Sequence, residues 1–302
     1  MERRPLQRPL RPAGSRSPEM SPDRRTLLGG VTALTALSPF LALEVAMAAP
    51  APPALRDVDA AAADAHTRLM TVPGLNMHGD EEVAMLLYPG FTALDLVGPH
   101  YFFASMMGAR VHLVTTTGDL SPVPSDLGLA IAPTTTLADC PKDLTVLFAP
   151  GGTTGTLAAA SDPGVRAFVA DRASRATCVT SVCTGSLLLG AAGVLRGRRA
   201  TSHWVVRDML GHFGAIPTDA RVVMDGPVVT GAGVSAGLDF AIAVVERLRG
   251  LPYAQALMLQ AEYKPEPPFP GGTPASTDPA IAGPMRDMFA GFAARVAELP
   301  AP

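Results

Sequence analysis

Short, continuous runs of hydrophobic residues recur along the chain from residue 83 onward. The first covers residues 83–88 and ends at Pro89-Gly90, as expected of a strand buried on both faces of a parallel sheet. Similar runs lie at 111–115, 146–149, 177–182 and 228–230. Segments of helical character separate them, at 95–107, 162–172, 185–192, 203–210, 236–248 and 252–262. Strands that alternate with helices over short connections predict an α/β fold, a three-layer sandwich with a mostly parallel central sheet.

The alternation ends at Tyr263, and residues 265–302 follow as a Pro-rich arm and a C-terminal helix. The helix is predicted at 279–299, where apolar residues recur every three to four positions: Met285, Phe289, Phe292 and Val296. Such a stripe must pack against something, either the domain itself or a second subunit.

Composition narrows the class of protein. The 302 residues, 48% of them hydrophobic and 17% charged, suffice for one folded domain plus tails. With 24 Lys and Arg against 27 Asp and Glu the net charge is −3, so no overall basic field is available to hold a polyanion. Nucleic acid is therefore not expected as a partner.

The cysteines do not form a recognisable framework. Cys140, Cys178 and Cys183 are the three in the chain, so at least one is unpaired and no disulfide pattern can be derived. They also lack the spacing and the neighbouring histidines of a structural zinc site. We expect neither a metal ion nor a cofactor.

The N-terminal segment resembles an export signal in its order of features. Seven arginines crowd the first 25 residues, and Arg24-Arg25 is followed by an apolar run and then by Ala46-Met47-Ala48. This order predicts a twin-arginine signal peptide over 1–48, a linker or short helix over 49–78, and a periplasmic or extracellular protein, with a cytoplasmic one as the alternative. The apolar run is shorter than the ~20 residues that a membrane-spanning helix needs, so no permanent anchor is expected.

The most specific motif places Cys183 where the β-rich run 177–182 meets the helical run 185–192. A strand-to-helix turn of this kind is a nucleophile elbow, here with cysteine as the nucleophile. The amino end of the following helix favours a thiolate, which predicts a lowered pKa for Cys183. The structural alternative is a small, buried and inert cysteine. Gly185 favours the elbow, because a crowded turn needs a residue without a side chain there.

A second turn, Gly151-Gly152, follows the run at 146–149. Backbone freed of side chains can direct an N–H group at a developing negative charge, so Gly152 and Thr184 are predicted to supply the two donors of an oxyanion hole. A Gly-Gly turn alone is no more than an ordinary loop.

Six segments together carry a resemblance to a known family: 89–99, 130–140, 150–152, 180–187, 199–204 and 260–263. They resemble the isonitrile hydratase family, in the PfpI-like branch of the class I glutamine amidotransferase-like superfamily, over about residues 83–278. The resemblance implies a flavodoxin-like domain over 79–264. It also implies addition of water to an organic isonitrile, which gives an N-substituted formamide through a thioimidate on cysteine.

By this resemblance Cys183 is the nucleophile, Asp95 is the acidic partner that replaces the glutamate of other branches, and Thr184 follows the nucleophile. To act as an acid, Asp95 needs a raised pKa; the simpler interpretation is that it caps its helix. His203, 20 positions after Cys183, is a further catalytic candidate, although a histidine beside Trp204 can equally be structural.

Phe91 and Trp204 are candidates for an apolar substrate pocket, although aromatic residues at such positions are more often core. The resemblance further implies a homodimer with a small-molecule isonitrile as substrate. Two alternatives stay open. One is a non-catalytic ligand-sensing module like that of AraC-type regulators, in which Cys183 would be inert. The other is a different PfpI-like hydrolase or glyoxalase, for which a glutamate rather than Asp95 is expected.

Overall fold

The apolar runs of the sequence form the centre of one large sheet in the computed structural model, which describes residues 53–301. Its strands are β1 (Glu82–Leu87), β2 (Arg110–Thr115), β5 (Thr135–Thr136), β6 (Val146–Ala149), β7 (Cys178–Val182), β10 (Val222–Asp225) and β11 (Val228–Gly231). They are ordered β10-β11-β7-β6-β1-β2-β5. All neighbours pair in parallel except β10, which is antiparallel to β11. The predicted, mostly parallel central sheet is confirmed.

Two small pairs of strands lie outside this sheet. β3 (Val123–Pro124) pairs antiparallel with β4 (Ala130–Ile131), and β8 (Arg199–Ala200) pairs in parallel with β9 (Ile216–Pro217).

Helices flank the sheet, as continuous apolar strands require. They are α1 (Pro53–Met70), α2 (Ala93–Ala104), α3 (Thr154–Ser161), α4 (Pro163–Ala173), α5 (Gly185–Ala191), α6 (Ala236–Arg249), α7 (Leu251–Gln260), α8 (Pro279–Met288) and α9 (Ala290–Val296), with a 3-10 helix at Arg207–Phe213. Helix α6 packs on α2 and α7, whereas α5 packs on α3 and α4. Every residue of β6 and β7 is buried as a result.

Three helical segments differ from the prediction, and strands β5 and β10 of the central sheet were not predicted. The helix expected at 203–210 is the 3-10 helix at Arg207–Phe213, and α3 was not predicted. The single helix expected at 279–299 divides at Phe289. Its second part is held by burial of Val296 and Leu299, so this end of the stripe packs on the same chain, whereas Met285 is 40% exposed.

A buried ion pair lies beside the amino end of β1. The Arg249 guanidinium uses all five of its N–H groups: two contact both carboxylate oxygens of Glu81, and three donate to the carbonyl groups of Asn76, Met77 and Met107. Burial alone raises the pKa of Glu81, but its hydrogen bonds, above all that from Arg249, hold it below the usual value. The Arg249 side chain, at the end of α6, thus holds together the segment that precedes β1 and the segment that follows α2.

Replacing Arg249 by methionine leaves Glu81 buried without its partner. We expect Arg249→Met to lower the free energy of unfolding by about 3–5 kcal/mol, the usual cost of removing one member of a buried pair. Urea denaturation measures this change in the free energy of unfolding. Arg68→Met is the matched control, because its pair with Asp64 is 73% and 69% exposed against 2% and 10% for Arg249 and Glu81. Equal stability of the two variants would contradict the assigned role of Arg249.

Candidate active site

Cys183 lies at the sharp turn between β7 and α5. Its φ of 58° is in the left-handed region, which only Cys183 and Glu262 adopt among the non-glycine residues that the structure describes. This conformation costs a residue with a side chain about 1–2 kcal/mol. The Cys183 N–H is held by the carbonyl groups of Gly231 and Ala232, at 3.2 and 2.6 Å, so the end of β11 enforces the turn. The predicted elbow geometry at the strand-helix junction is confirmed.

Glycines allow the surrounding segments to approach this turn. A Cβ on Gly151 would lie 2.5 Å from Asp95 Oδ2 and 2.7 Å from Cys183 Cβ. A Cβ on Gly185 would lie 2.2 Å from the carbonyl oxygen of Ala149. Because real Cβ atoms do not come so close, each of the two positions requires glycine for the observed packing.

Helix α2 places Asp95 against this turn. It lies in the first turn of α2, but the cap position belongs to Thr92, and the Asp95 side chain does not cap its own helix. Instead, Asp95 Oδ2 accepts a hydrogen bond from the Gly151 N–H at 2.9 Å, while Oδ1 is buried without a hydrogen-bond partner in the described part of the chain. The interpretation of Asp95 as a helix cap is therefore wrong.

Burial sets the protonation of Asp95. The side chain is fully buried, which raises its pKa to about 7, although the Gly151 N–H and the Cys183 side chain both favour the carboxylate. The nearby Asp126 carboxylate raises it further. A carboxyl group with this pKa can both accept and donate a proton near neutral pH.

The lowered pKa that the helix position suggested for Cys183 is wrong. Burial raises the pKa of the Cys183 thiol well above its ordinary value, and the negative charge of Asp95 raises it further. The backbone N–H and the hydroxyl group of Thr184 act in the opposite direction without overcoming burial. Desolvation of a nearly enclosed sulfur outweighs the short helix behind it. An ionised sulfur here needs a neighbouring base.

The two predicted oxyanion donors have other partners in this structure. The Gly152 N–H donates to Thr184 Oγ1 at 2.9 Å, and Thr184 Oγ1 lies 2.5 Å from the Gly152 carbonyl oxygen. The Thr184 N–H interacts with the Cys183 sulfur. The oxyanion role of Gly152 and Thr184 stays a prediction.

His203 lies in the segment that borders the elbow. The neighbouring Ser202 hydroxyl donates to the Cys183 carbonyl oxygen at 2.9 Å. The His203 ring is half-buried, 5.7 Å from the Trp204 ring and 6.1 Å from that of Phe289. Burial lowers the pKa of His203, which favours the neutral imidazole. Its catalytic role and the substrate contact of Trp204 remain predictions.

Phe91 is fully buried in the hydrophobic core and bridges Ser125 and Gly152 through its backbone. The Phe91 side chain therefore does not form an exposed wall of a pocket in this structure, and its contact with a substrate stays a prediction.

Sequence reasoning missed two hydroxyl groups behind the site. Tyr88 Oη donates to the Pro150 carbonyl oxygen at 2.5 Å and lies 3.1 Å from Thr156 Oγ1, which in turn lies 3.0 Å from Thr184 Oγ1. Tyr88 is the last residue of the first apolar run, so its position at the end of a strand could be predicted from the sequence. Thr156 belongs to the helix that was not predicted, and no signal in the sequence marked it.

Within the described range, no group of three or more His, Cys, Asp or Glu side chains is placed to hold a metal ion. None of the helices in that range combines the length and the apolar character needed to cross a bilayer.

Comparison with known proteins places the chain in a family. Residues 81–247, more than half of the chain, match the model of the DJ-1/PfpI family. Isonitrile hydratase of Pseudomonas putida is 46% identical over 205 residues, which are 68% of this chain and 88% of that enzyme. The crystal structure of a THiJ/PfpI family protein from Pseudomonas syringae is 54% identical, with a TM-score of 0.73, and covers 74% of this chain and 92% of that one. The chain belongs to the DJ-1/PfpI family.

The comparison also corrects the predicted localisation. The match reaches 88% of the Pseudomonas putida enzyme and gives no support to an exported protein, so the prediction of a periplasmic or extracellular protein is wrong. The twin-arginine signal that motivated it, at 1–48, lies outside the described residues.

The raised pKa of Asp95 predicts how Cys183 reactivity depends on pH. Below about pH 7 Asp95 holds its own proton, and above it the carboxylate can accept the proton of the thiol. The rate of Cys183 alkylation by iodoacetamide should therefore rise with pH to an inflection near 7, level off, and rise again as the thiol itself ionises. Peptide mass spectrometry distinguishes Cys183 from Cys140 and Cys178.

Asp95→Asn should abolish the inflection near pH 7 and leave a single transition at higher pH. Identical profiles of the two proteins between pH 6 and 8 would show that Asp95 does not control the sulfur.

Proposed function

We propose that this DJ-1/PfpI protein adds water to an organic isonitrile to give an N-substituted formamide, with Cys183 as nucleophile and Asp95 as its proton-transfer partner. The observation that carries this proposal is the enclosure of Asp95 against Cys183 at the elbow, where burial raises the pKa of the carboxyl group to about 7. The 46% identity to an isonitrile hydratase supports the choice of substrate.

The first half of the reaction joins sulfur to carbon. The Asp95 carboxylate takes the proton of the Cys183 thiol, and the resulting carboxylic acid delivers it to the lone pair of the isonitrile carbon. The sulfur attacks the same carbon, and one π pair of the C–N triple bond moves to nitrogen. The product is a thioimidate, R–N=CH–S–Cys183, and Asp95 is again a carboxylate.

The second half opens the thioimidate with water. Asp95 removes a proton from a water molecule as its oxygen adds to the carbon, and this proton passes to nitrogen. Collapse of the adduct breaks the C–S bond, the proton of the new hydroxyl group returns through Asp95 to the sulfur, and the formamide leaves. The sum is addition of one water molecule, with no cofactor.

The other candidate residues surround this chemistry. Thr184 is proposed to stabilise the ionised sulfur of Cys183, because its N–H and hydroxyl groups both favour the thiolate. The Gly152 N–H can serve a developing negative charge only if it leaves Thr184 Oγ1. His203 and Trp204, with Phe91 behind the Gly152 turn, are proposed to border the organic group of the substrate.

We also propose that the chain forms a homodimer through a surface beside the active site. Leu94, Val97 and Tyr101 repeat along one face of α2 and are 40–49% exposed, although α2 also carries the buried Asp95. The adjoining turn presents Leu127, 91% exposed, and is attached to the start of α2 by the hydrogen bond from Thr92 Oγ1 to Asp126 Oδ2. Exposed apolar residues grouped on one surface are typical of an interface between subunits.

The proposed reaction is tested with cyclohexyl isonitrile and detection of the formamide. Cys183→Ala should abolish turnover, and Asp95→Asn should lower kcat by about 100-fold or more, the contribution typical of a positioned acid and base. Cys178→Ala, at another buried cysteine five positions earlier on β7, should retain activity. Formation of the formamide by Cys183→Ala at the wild-type rate would rule out the covalent route. No formamide from the wild type, with Cys183 inert to alkylation, would favour the ligand-sensing alternative.

The proposed dimer is tested by light scattering. Leu127→Asp should convert a dimer to a monomer, because the interface would have to desolvate a carboxylate. Ile216→Asp, at an exposed apolar residue on β9, should leave the mass unchanged. A wild-type protein with the mass of a monomer would contradict the proposed homodimer.

A further inference from the structure

The C-terminal segment runs back to the elements around the elbow. Helix α9 packs on α3, the helix that follows the Gly151-Gly152 turn. After α9, the Leu299 carbonyl oxygen lies 2.9 Å from His212 Nε2, and the side chains of Val296 and Leu299 are buried in the core. These contacts hold residues 289–299 in place on the domain.

This segment sets the ring of Phe289 against His203. The two ring centroids are 6.1 Å apart, with 58° between the ring planes. Phe289 is the junction of α8 and α9: its N–H donates to the Arg286 carbonyl oxygen at 3.1 Å, and its own carbonyl oxygen accepts from the Ala293 N–H at 2.9 Å. The backbone that carries the Phe289 ring is therefore bonded on both sides.

His203 lies between two segments that bind the backbone of Cys183. On one side is Ser202, whose hydroxyl donates to the Cys183 carbonyl oxygen at 2.9 Å. On the other side is Gly233, where a Cβ would lie 3.3 Å from His203 Cδ2. The residue before it, Ala232, accepts the Cys183 N–H at 2.6 Å. Both segments that flank the His203 ring therefore reach the nucleophile directly.

Three aromatic rings meet beside the elbow and keep part of their surface exposed. His203, Trp204 and Phe289 are each half-buried, and the His203 ring lies 5.7 Å from that of Trp204. Burial lowers the pKa of His203, so its ring is neutral at neutral pH. An uncharged, partly exposed aromatic surface is stabilised when an apolar group covers it.

We propose that Phe289 is a specificity-determining residue, which forms with His203 and Trp204 an apolar wall for the organic group on the isonitrile nitrogen. This inference rests on the function proposed above, in which the carbon bonded to Cys183 carries that nitrogen and its organic group. The wall favours a carbocyclic group over a methyl group, because the larger group removes more apolar surface from water.

The wall is tested with methyl isothiocyanate and cyclohexyl isothiocyanate, which also carry their organic group on the nitrogen next to the attacked carbon. The Cys183 sulfur bonds to the central carbon, one π pair of the C=N bond moves to nitrogen, and the thiol proton ends on that nitrogen. The product is a dithiocarbamate. Mass spectrometry of the Cys183 peptide gives the initial rate with each reagent. The ratio of the cyclohexyl rate to the methyl rate is compared between variants, so the intrinsic reactivities of the reagents cancel.

Phe289→Ala should lower this ratio by about 10-fold, the low end of what one methylene group contributes in an apolar pocket. Phe289→Leu keeps an apolar side chain and should lie between Phe289→Ala and the wild type. In the hydration assay Phe289→Ala should raise KM for cyclohexyl isonitrile at unchanged kcat and leave both constants for methyl isonitrile unaltered. An unchanged or higher ratio in Phe289→Ala would overturn the proposal.

Met288→Ala is the matched control. Met288 precedes Phe289 in the same segment but is 66% exposed, so its truncation should leave the ratio at the wild-type value. An equal fall of the ratio in Met288→Ala and Phe289→Ala would show a general disturbance of the C-terminal segment and would count against the wall. If Phe289→Ala does not fold, Phe289→Leu is compared with Met288→Leu by the same ratio.

The isothiocyanates do not report on hydration, which separates this inference from the substrate assignment. A wild-type protein that makes no formamide, but whose ratio falls in Phe289→Ala, refutes the substrate and retains the wall. Formation of the formamide, with equal ratios in the wild type and Phe289→Ala, does the reverse.

Discussion

The structure depends on a cysteine held in a backbone conformation that side chains normally avoid. Cys183 keeps a φ of 58° because its N–H is bound by the carbonyl groups that end β11, and because glycines at 151 and 185 leave room for it. The carboxyl ends of parallel strands meet at one edge of a sheet, so β1, β6, β7 and β11 all deliver their following residues to this turn. The sheet order makes the crowding unavoidable, and the crowding encloses the sulfur.

Enclosure has opposite chemical consequences for the two groups at the turn. It raises the pKa of the Asp95 carboxyl group into the neutral range, where proton transfer is easy, and raises that of the Cys183 thiol away from it. A low pKa in the resting enzyme is therefore not the source of reactivity. In the proposed reaction, reactivity requires exchange of one proton within the pair.

Residues outside the matched family region also reach the vicinity of the site. Phe289, between α8 and α9, lies against His203, and the following Val296 and Leu299 are buried in the domain core. The His212 ring meets the Leu299 carbonyl oxygen at 2.9 Å. The segment beyond residue 247 therefore contributes to the environment of His203.

The sequence by itself determined the class of fold and the place of Cys183 at the elbow, whereas Asp95 was implied by the family resemblance. Continuous apolar runs identify strands that are buried on both faces, and a cysteine at the join of a strand and a helix identifies the elbow. Tertiary structure decided the rest. The Gly151 contact of Asp95, the Thr156 contact of Tyr88 and the Glu81 contact of Arg249 join residues 56, 68 and 168 positions apart, and no local pattern records them. The sign of the Cys183 pKa shift was likewise decided by packing, because desolvation depends on every segment that covers the sulfur, whereas the sequence shows only the helix that follows it.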